Sequence, residues 1–233
     1  MPSENAPRLT GLTGFDRLFA EGRQALLTGT HRVESAPADD CQRWAVGAVL
    51  RPDPQAAEAI ELAAKAAAAV VGANHWLAGA ARSSHLTLRR RLERYRRPIP
   101  PDDPRVARFA AALRSAAKAT RPIRYAVTGV TLTPVSVMAS AIPVDTAAED
   151  LAAAFGAALH AEECHDAGSI PELWYVNLVY FTGPVRNAEE LIGWVEARRE
   201  VRLADVRITA FQIVRWQSTA SGMVPIVLAS VTP

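Results

Sequence analysis

SSHLTLRRR, residues 83–91, sets a histidine two positions before a threonine, with one leucine between, another after and three arginines behind. Polar and apolar residues in alternation mark a half-buried strand, on which residues two apart share a face. Ser84–Leu88 therefore reads as a short strand that presents His85 and Thr87 together. An imidazole beside a hydroxyl is a weak signal alone, since such a pair rarely does chemistry without a partner. That partner has to come from elsewhere in the chain.

Upstream of this stretch, Arg43–Leu50 reads as a strand and Pro54–Val71 as an alanine-rich helix stopped by Gly72. Downstream, Val106–Ala119 reads as a helix closed before Pro122, and Ile123–Thr133 as a β-branched strand. The same order then returns. Val135–Ile142 is a strand, and a helix from Thr146 through His160 carries a capping-box pattern in Thr146 and Glu149. Leu173–Phe181 is a strand, Ala188–Arg199 a helix, and Val206–Trp216 and Met223–Val231 are the closing strands. The interval from Arg43 to His85 nearly equals that from Val135 to Tyr175. Matching order and spacing predict an internal duplication into two lobes, a chance ordering of an α+β chain being the alternative. Residues 1–41 read as a separate N-terminal extension, partly helical over Phe15–Leu27 and loop-like over Thr28–Asp40.

If the halves are duplicated, the partner of His85 lies on Leu173–Phe181. Setting HLTL (85–88) against YVNL (175–178) places Tyr175 opposite His85 and Asn177 opposite Thr87. Alternation puts each pair on one strand face, so two such strands across a cleft would bring four polar side chains together. On these motifs, with the stretches WAVGAVLRP (44–52) and WYVNLVYFTGP (174–184), the chain resembles the 2H phosphoesterase superfamily. That superfamily includes the 2′-5′ RNA ligase-like proteins and cyclic phosphodiesterases, and the resemblance runs from about Arg43 to the C-terminus. It implies an α+β fold, with two pseudo-symmetric lobes of antiparallel sheet plus helices around a central cleft. The expected division is residues 1–41, then a bilobal domain over 42–233, with lobe one at about 42–133 and lobe two at about 134–233. Each lobe of such proteins offers one His-x-Thr/Ser motif. The resemblance implies metal-independent opening of a cyclic phosphate or related phosphoester, without a cofactor. One group activates water, another protonates the leaving oxygen, and hydroxyls hold the phosphoryl oxygens.

This sequence departs from that pattern in its second motif, where Tyr175 and Asn177 stand in place of histidine and threonine. A phenol, with an ordinary pKa of about 10, is a poor base at neutral pH but can donate a proton or a hydrogen bond. An asparagine amide can still hold a phosphoryl oxygen. Shifting the register to Tyr180 or to Arg207–Thr209 restores no histidine. Three readings follow. In the first, a phosphodiesterase-like hydrolase uses His85 as acid–base residue, Thr87 and Asn177 as phosphoryl ligands and Tyr175 as donor. In the second, the cleft binds an anion or nucleotide without turnover. In the third, it is repurposed for acid–base chemistry on a non-phosphate metabolite.

The arginines that follow the motif, Arg89, Arg90, Arg91, Arg94, Arg96 and Arg97, could clamp an anionic ligand or form a solvated surface. Arg89, Arg91 and Arg124 are the expected substrate-binding arginines. Trp76, in the loop before the His85 strand, is the candidate base-stacking residue, with core packing as its alternative. HAEECH (160–165) places His160 and Cys164 four apart, a spacing that suits a metal, but near a helix end it reads as surface, so no metal site is expected.

The net charge of +2, with 49% hydrophobic and 21% charged residues, describes an ordinary globular chain with no global pull on nucleic acid. The two cysteines, Cys41 and Cys164, make no disulfide framework. No apolar run reaches membrane-spanning length, and MPSENAPRLTG has no signal-peptide pattern, so a cytoplasmic protein is expected. The expected partner is a small phosphorylated or nucleotide-type ligand, or an RNA end, with no membrane and no obligate protein partner.

Overall fold

The computed structural model describes residues 6–96, 99–100, 102–159 and 170–233, with side chains from residue 14 onward. Arg97 and HAEECH lie outside the described residues. The elements run α1 (Ala6–Leu27), β1 (Val46–Pro52), α2 (Pro54–Val71), β2 (Trp76–Leu77), β3 (Leu86–Glu93), α3 (Pro104–Ala117) and β4 (Arg124–Thr133). They continue with β5 (Ser136–Pro143), α4 (Ala147–Ala158), β6 (Trp174–Tyr180), α5 (Ala188–Glu196), β7 (Arg202–Thr219) and β8 (Gly222–Val231).

Two antiparallel layers share one strand. Lobe one has the order β3-β1-β7-β8, and lobe two the order β2-β6-β5-β4-β7. The first residues of β7, Arg202–Arg207, pair with β4, and the rest pair with β1 and β8. This dual pairing is why β7 begins at Arg202, earlier than the sequence pattern placed it.

The two layers correspond residue by residue. In lobe one Leu50 pairs with Leu86, Val49 with Thr87 and Ala48 with Arg89. In lobe two Ala139 pairs with Val176, Met138 with Asn177 and Val137 with Val179. Both motif strands therefore carry one extra residue immediately after the motif, a bulge that reverses which side chains face outward. The fold is thus the expected α+β arrangement of two pseudo-symmetric lobes around a cleft.

The helices cover the face opposite the cleft. On α2 the buried positions Ala56, Ile60, Ala64, Ala67 and Val71 recur at helical spacing, and small residues let the helix lie close to β6 and β7. Asp53 caps its start by accepting the Ala56 N–H at 3.0 Å. The capping box expected at Thr146 and Glu149 does not form. Asp145 Oδ1 accepts the Ala147 N–H at 2.8 Å, and Thr146 Oγ1 donates to Asp150 at 3.0 Å. The shared core includes Ile60, Leu86, Leu88, Phe109, Phe155, Leu178 and Phe211.

The chain before β1 is fastened to the sheets at several points. On α1, Phe15 and Leu26 are buried, Thr131 Oγ1 donates to the Phe15 carbonyl at 3.2 Å, and Arg199 pairs with Asp16. The segment after it crosses the cleft edge. The Glu34 N–H donates to the Phe181 carbonyl at 2.6 Å, and the Asp40 N–H to the Tyr95 carbonyl at 2.7 Å. No described helix is long and apolar enough to cross a membrane.

Candidate active site

His85, Thr87, Tyr175 and Asn177 all line one cavity of about 290 Å³. The register explains the convergence. Val49 faces the cleft and pairs with Thr87, so His85, two residues earlier, faces it too. Tyr175 and Asn177 occupy the corresponding positions on β6. After the bulge in β6 the outward position passes to Tyr180, which also lines the cavity. Among the described residues, Thr87, Tyr175 and Asn177 make no side-chain hydrogen bond, so their polar atoms are available to a ligand.

The His85 ring is held from two sides. Its Nδ1 lies 2.8 Å from the Ser83 carbonyl, and the ring packs at 5.0 Å on Trp216. A carbonyl can only accept, so Nδ1 carries the proton and the Nε2 lone pair is left over. Burial pushes the imidazole pKa down to about 4; the Ser83 hydrogen bond opposes this shift and the charge of Arg51 adds to it. At neutral pH His85 is uncharged, in the form that accepts a proton.

A second group of cavity residues was expected on a strand over Arg43–Leu50, but β1 begins at Val46 and Arg43 and Trp44 lie in the turn before it. Arg43 pairs with Glu34, and its guanidinium lies 4.9 Å from the centre of the Trp44 ring and 5.7 Å from that of Tyr180. The Trp44 indole N–H donates to Glu34 at 3.3 Å, and its ring meets Tyr180 and Trp216 edge-on at 5.2 and 5.3 Å. Trp44 sits at φ 61°, a left-handed conformation uncommon for a bulky residue. These contacts arise from a loop folding across the cleft, which no strand or helix period encodes. The described residues lining the cavity include Arg43, Arg90 and Arg91 but no carboxylate.

Several expected ligands are placed differently. Arg89 borders the cavity, but its side chain is 2% exposed and Nη2 donates to the Ala152 carbonyl of α4 at 2.8 Å. The bulge puts it on the core face, opposite Ala48, with its guanidinium directed to α4. Arg124 lies outside the cleft, in a separate depression with Asp53, Asp205 and Arg207, because it pairs with Arg207 at the far end of β7. Trp76 is on strand β2 rather than in a loop, and does not line the cavity. Its ring props Trp44 edge-on at 6.3 Å. Arg91 does line the cavity and donates to Gln42 at 3.1 Å. Among the described residues no group of three or more His, Cys, Asp or Glu could hold a metal ion.

No protein-family model and no curated protein matches the sequence. Solved structures share its fold. TT0787 of Thermus thermophilus is 16% identical with a TM-score of 0.56, over 80% of this chain and 96% of that one. A crystal structure of a phosphoesterase is 11% identical with a TM-score of 0.53, over 81% of this chain and 97% of that one. At such identities the likeness is one of fold.

Proposed function

We propose that the cleft binds and hydrolyses a phosphoester, a cyclic phosphate or nucleotide-type ester, without a metal, as a 2H-type phosphodiesterase does. One observation carries this reading. A neutral histidine, a hydroxyl, a phenol and an amide from two pseudo-symmetric strands meet in a cavity with arginines and no carboxylate among its described lining residues. Such a lining suits an anion. A volume of about 290 Å³ lies at the low end for small-molecule sites, which favours a small ligand. The fold likeness to a phosphoesterase agrees.

In the proposed step, Nε2 of His85 takes a proton from water as its oxygen bonds to phosphorus. The bond to the leaving ester oxygen breaks, and Tyr175 supplies a hydrogen bond or proton to that oxygen. Its proton is regained from the imidazolium through solvent. Thr87 and Asn177 hold the phosphoryl oxygens as charge develops, and Arg43 and Arg91 neutralise it. The test is hydrolysis of 2′,3′-cyclic nucleotides, with chelator present, by the wild type and His85→Ala. Turnover that falls by about 10²–10⁴ in the variant supports the reading, and equal turnover overturns it.

Tyr175 favours a second reading, an anion-binding module that has lost turnover, because one of two acid–base groups is missing. Cyclic nucleotide bound by the wild type without hydrolysis, measured by calorimetry, would select it. A reaction that depends on Tyr175 but involves no phosphate would instead mark a repurposed cleft.

A further inference from the structure

Arg51 is a half-buried cation on β1, with no carboxylate partner among the described residues. Its guanidinium gathers three backbone carbonyls of the turn leading into β3. Nη1 donates to the Ser84 carbonyl, and Nη2 to the carbonyls of Arg82 at 2.8 Å and Ala81 at 3.2 Å. The carbonyl between these, that of Ser83, accepts the Nδ1 proton of His85. Leu50 pairs with Leu86, so Arg51 and His85 are the next cross-strand neighbours on the cleft face. The duplication supplies an internal contrast. In lobe two the position equivalent to Arg51 is Ser140, which pairs with Tyr175. The lobe that kept its imidazole has the guanidinium, and the lobe that lost it does not.

We propose that Arg51 is a positioning residue for His85. It fixes the 81–84 turn so that Ser83 holds the Nδ1 proton and Nε2 is presented to the cavity, and its charge adds to the burial that keeps the ring neutral until an anion arrives. This rests on the reading of His85 as the proton acceptor. The other charged or titratable groups at the cavity are Tyr175 and Tyr180 from β6, Arg43 from the preceding loop with the Glu34 carboxylate it pairs with, and Arg89, Arg90 and Arg91 further along β3. β7 contributes the uncharged Trp216. No carboxylate is among the described lining residues and Glu34 is engaged by Arg43 and Trp44, so the ring gains a counter-charge when an anionic ligand binds, and proton uptake then becomes favourable.

Long-range ¹⁵N NMR of the histidine rings reads tautomer and titration without any substrate. The wild type should show His85 as the Nδ1–H tautomer, titrating well below 6.5. In Arg51→Gln the midpoint should rise but stay below 6.5, since burial is its main cause, and the tautomer preference should weaken. Arg51→Lys keeps the charge but cannot bridge three carbonyls, so it should hold the low midpoint and lose the tautomer preference. It also serves as the second variant if Arg51→Gln does not fold. A folded variant with both properties unchanged overturns the proposal. The outcome is separate from the phosphoester reading, because it stands or falls without turnover. Where turnover exists, the acid limb of kcat/KM should move upward in Arg51→Gln together with the ring midpoint.

Discussion

Tyr175 holds in lobe two the place that His85 holds in lobe one, and the register shows it independently of any alignment. A phenol there can donate but does not readily accept a proton at neutral pH. Tyr175→His should therefore raise kcat on 2′,3′-cyclic nucleotides by at least about tenfold, a part of the 10²–10⁴ that one acid–base group supplies. Steady-state rates check this, and an unchanged or lower kcat would mean that the lobes no longer act as a matched pair. The meeting of His85, Thr87, Tyr175 and Asn177 at one cavity was legible in the sequence because a strand repeats every two residues. Arg89 was misread for the same reason. Counting by two carries it outward, and the bulge after Thr87 turns it to the core, where it meets Ala152. Arg43 and Trp44 were read as the start of the first strand, whereas a loop and a left-handed backbone bring them to the cavity.

Among the elements, α2 was readable at both ends because its signals are local: Pro54 at the start and Gly72 at the stop. The start of α4 was read to within a residue, but its cap was not, because Asp145 accepts the Ala147 N–H one residue earlier than the box pattern suggests. α1 shows what tertiary packing adds to such signals. A Cβ at Gly22 would come within 2.7 Å of the Leu132 backbone carbon and 2.8 Å of the Thr133 nitrogen, so α1 approaches β4 backbone to backbone. Helix propensity alone favours alanine over glycine by about 1 kcal/mol, but strand backbone cannot yield as a flexible side chain can. Gly22→Ala should thus destabilise the protein by about 1–3 kcal/mol. Gly193→Ala is the matched control on α5, where nothing lies within 4 Å, and it should stabilise by about 0.5–1 kcal/mol. Urea midpoints of the two variants should move in opposite directions. Movement in the same direction would mean that α1 is not seated at this distance.

β7 is the one strand that both lobes use, so neither layer can open fully without breaking its pairing. A protonation inside the cleft should then be felt in the stability of the entire chain. His85 has a folded pKa of about 4, below its ordinary 6.5. Between those values the unfolded chain binds more protons than the folded one, so stability rises with pH across that window and is lost as pH falls through it. His75, also lowered, first by burial and then by the charge of His31, adds a slope of the same sign. Asp103 acts in a lower window. The Arg96 hydrogen bond holds its carboxyl at about 2, so its contribution persists down to its ordinary 3.8 and is lost below that. The two windows are separable by mutation. His85→Asn should flatten the urea midpoint between about pH 6.5 and pH 4, leaving the shallower slope from His75, while the fall below pH 4 stays as in the wild type. Equal slopes in the two proteins across the upper window would show that the His85 ring is as well solvated in the folded chain as in the unfolded one, and the same result would remove the neutral base from the cleft.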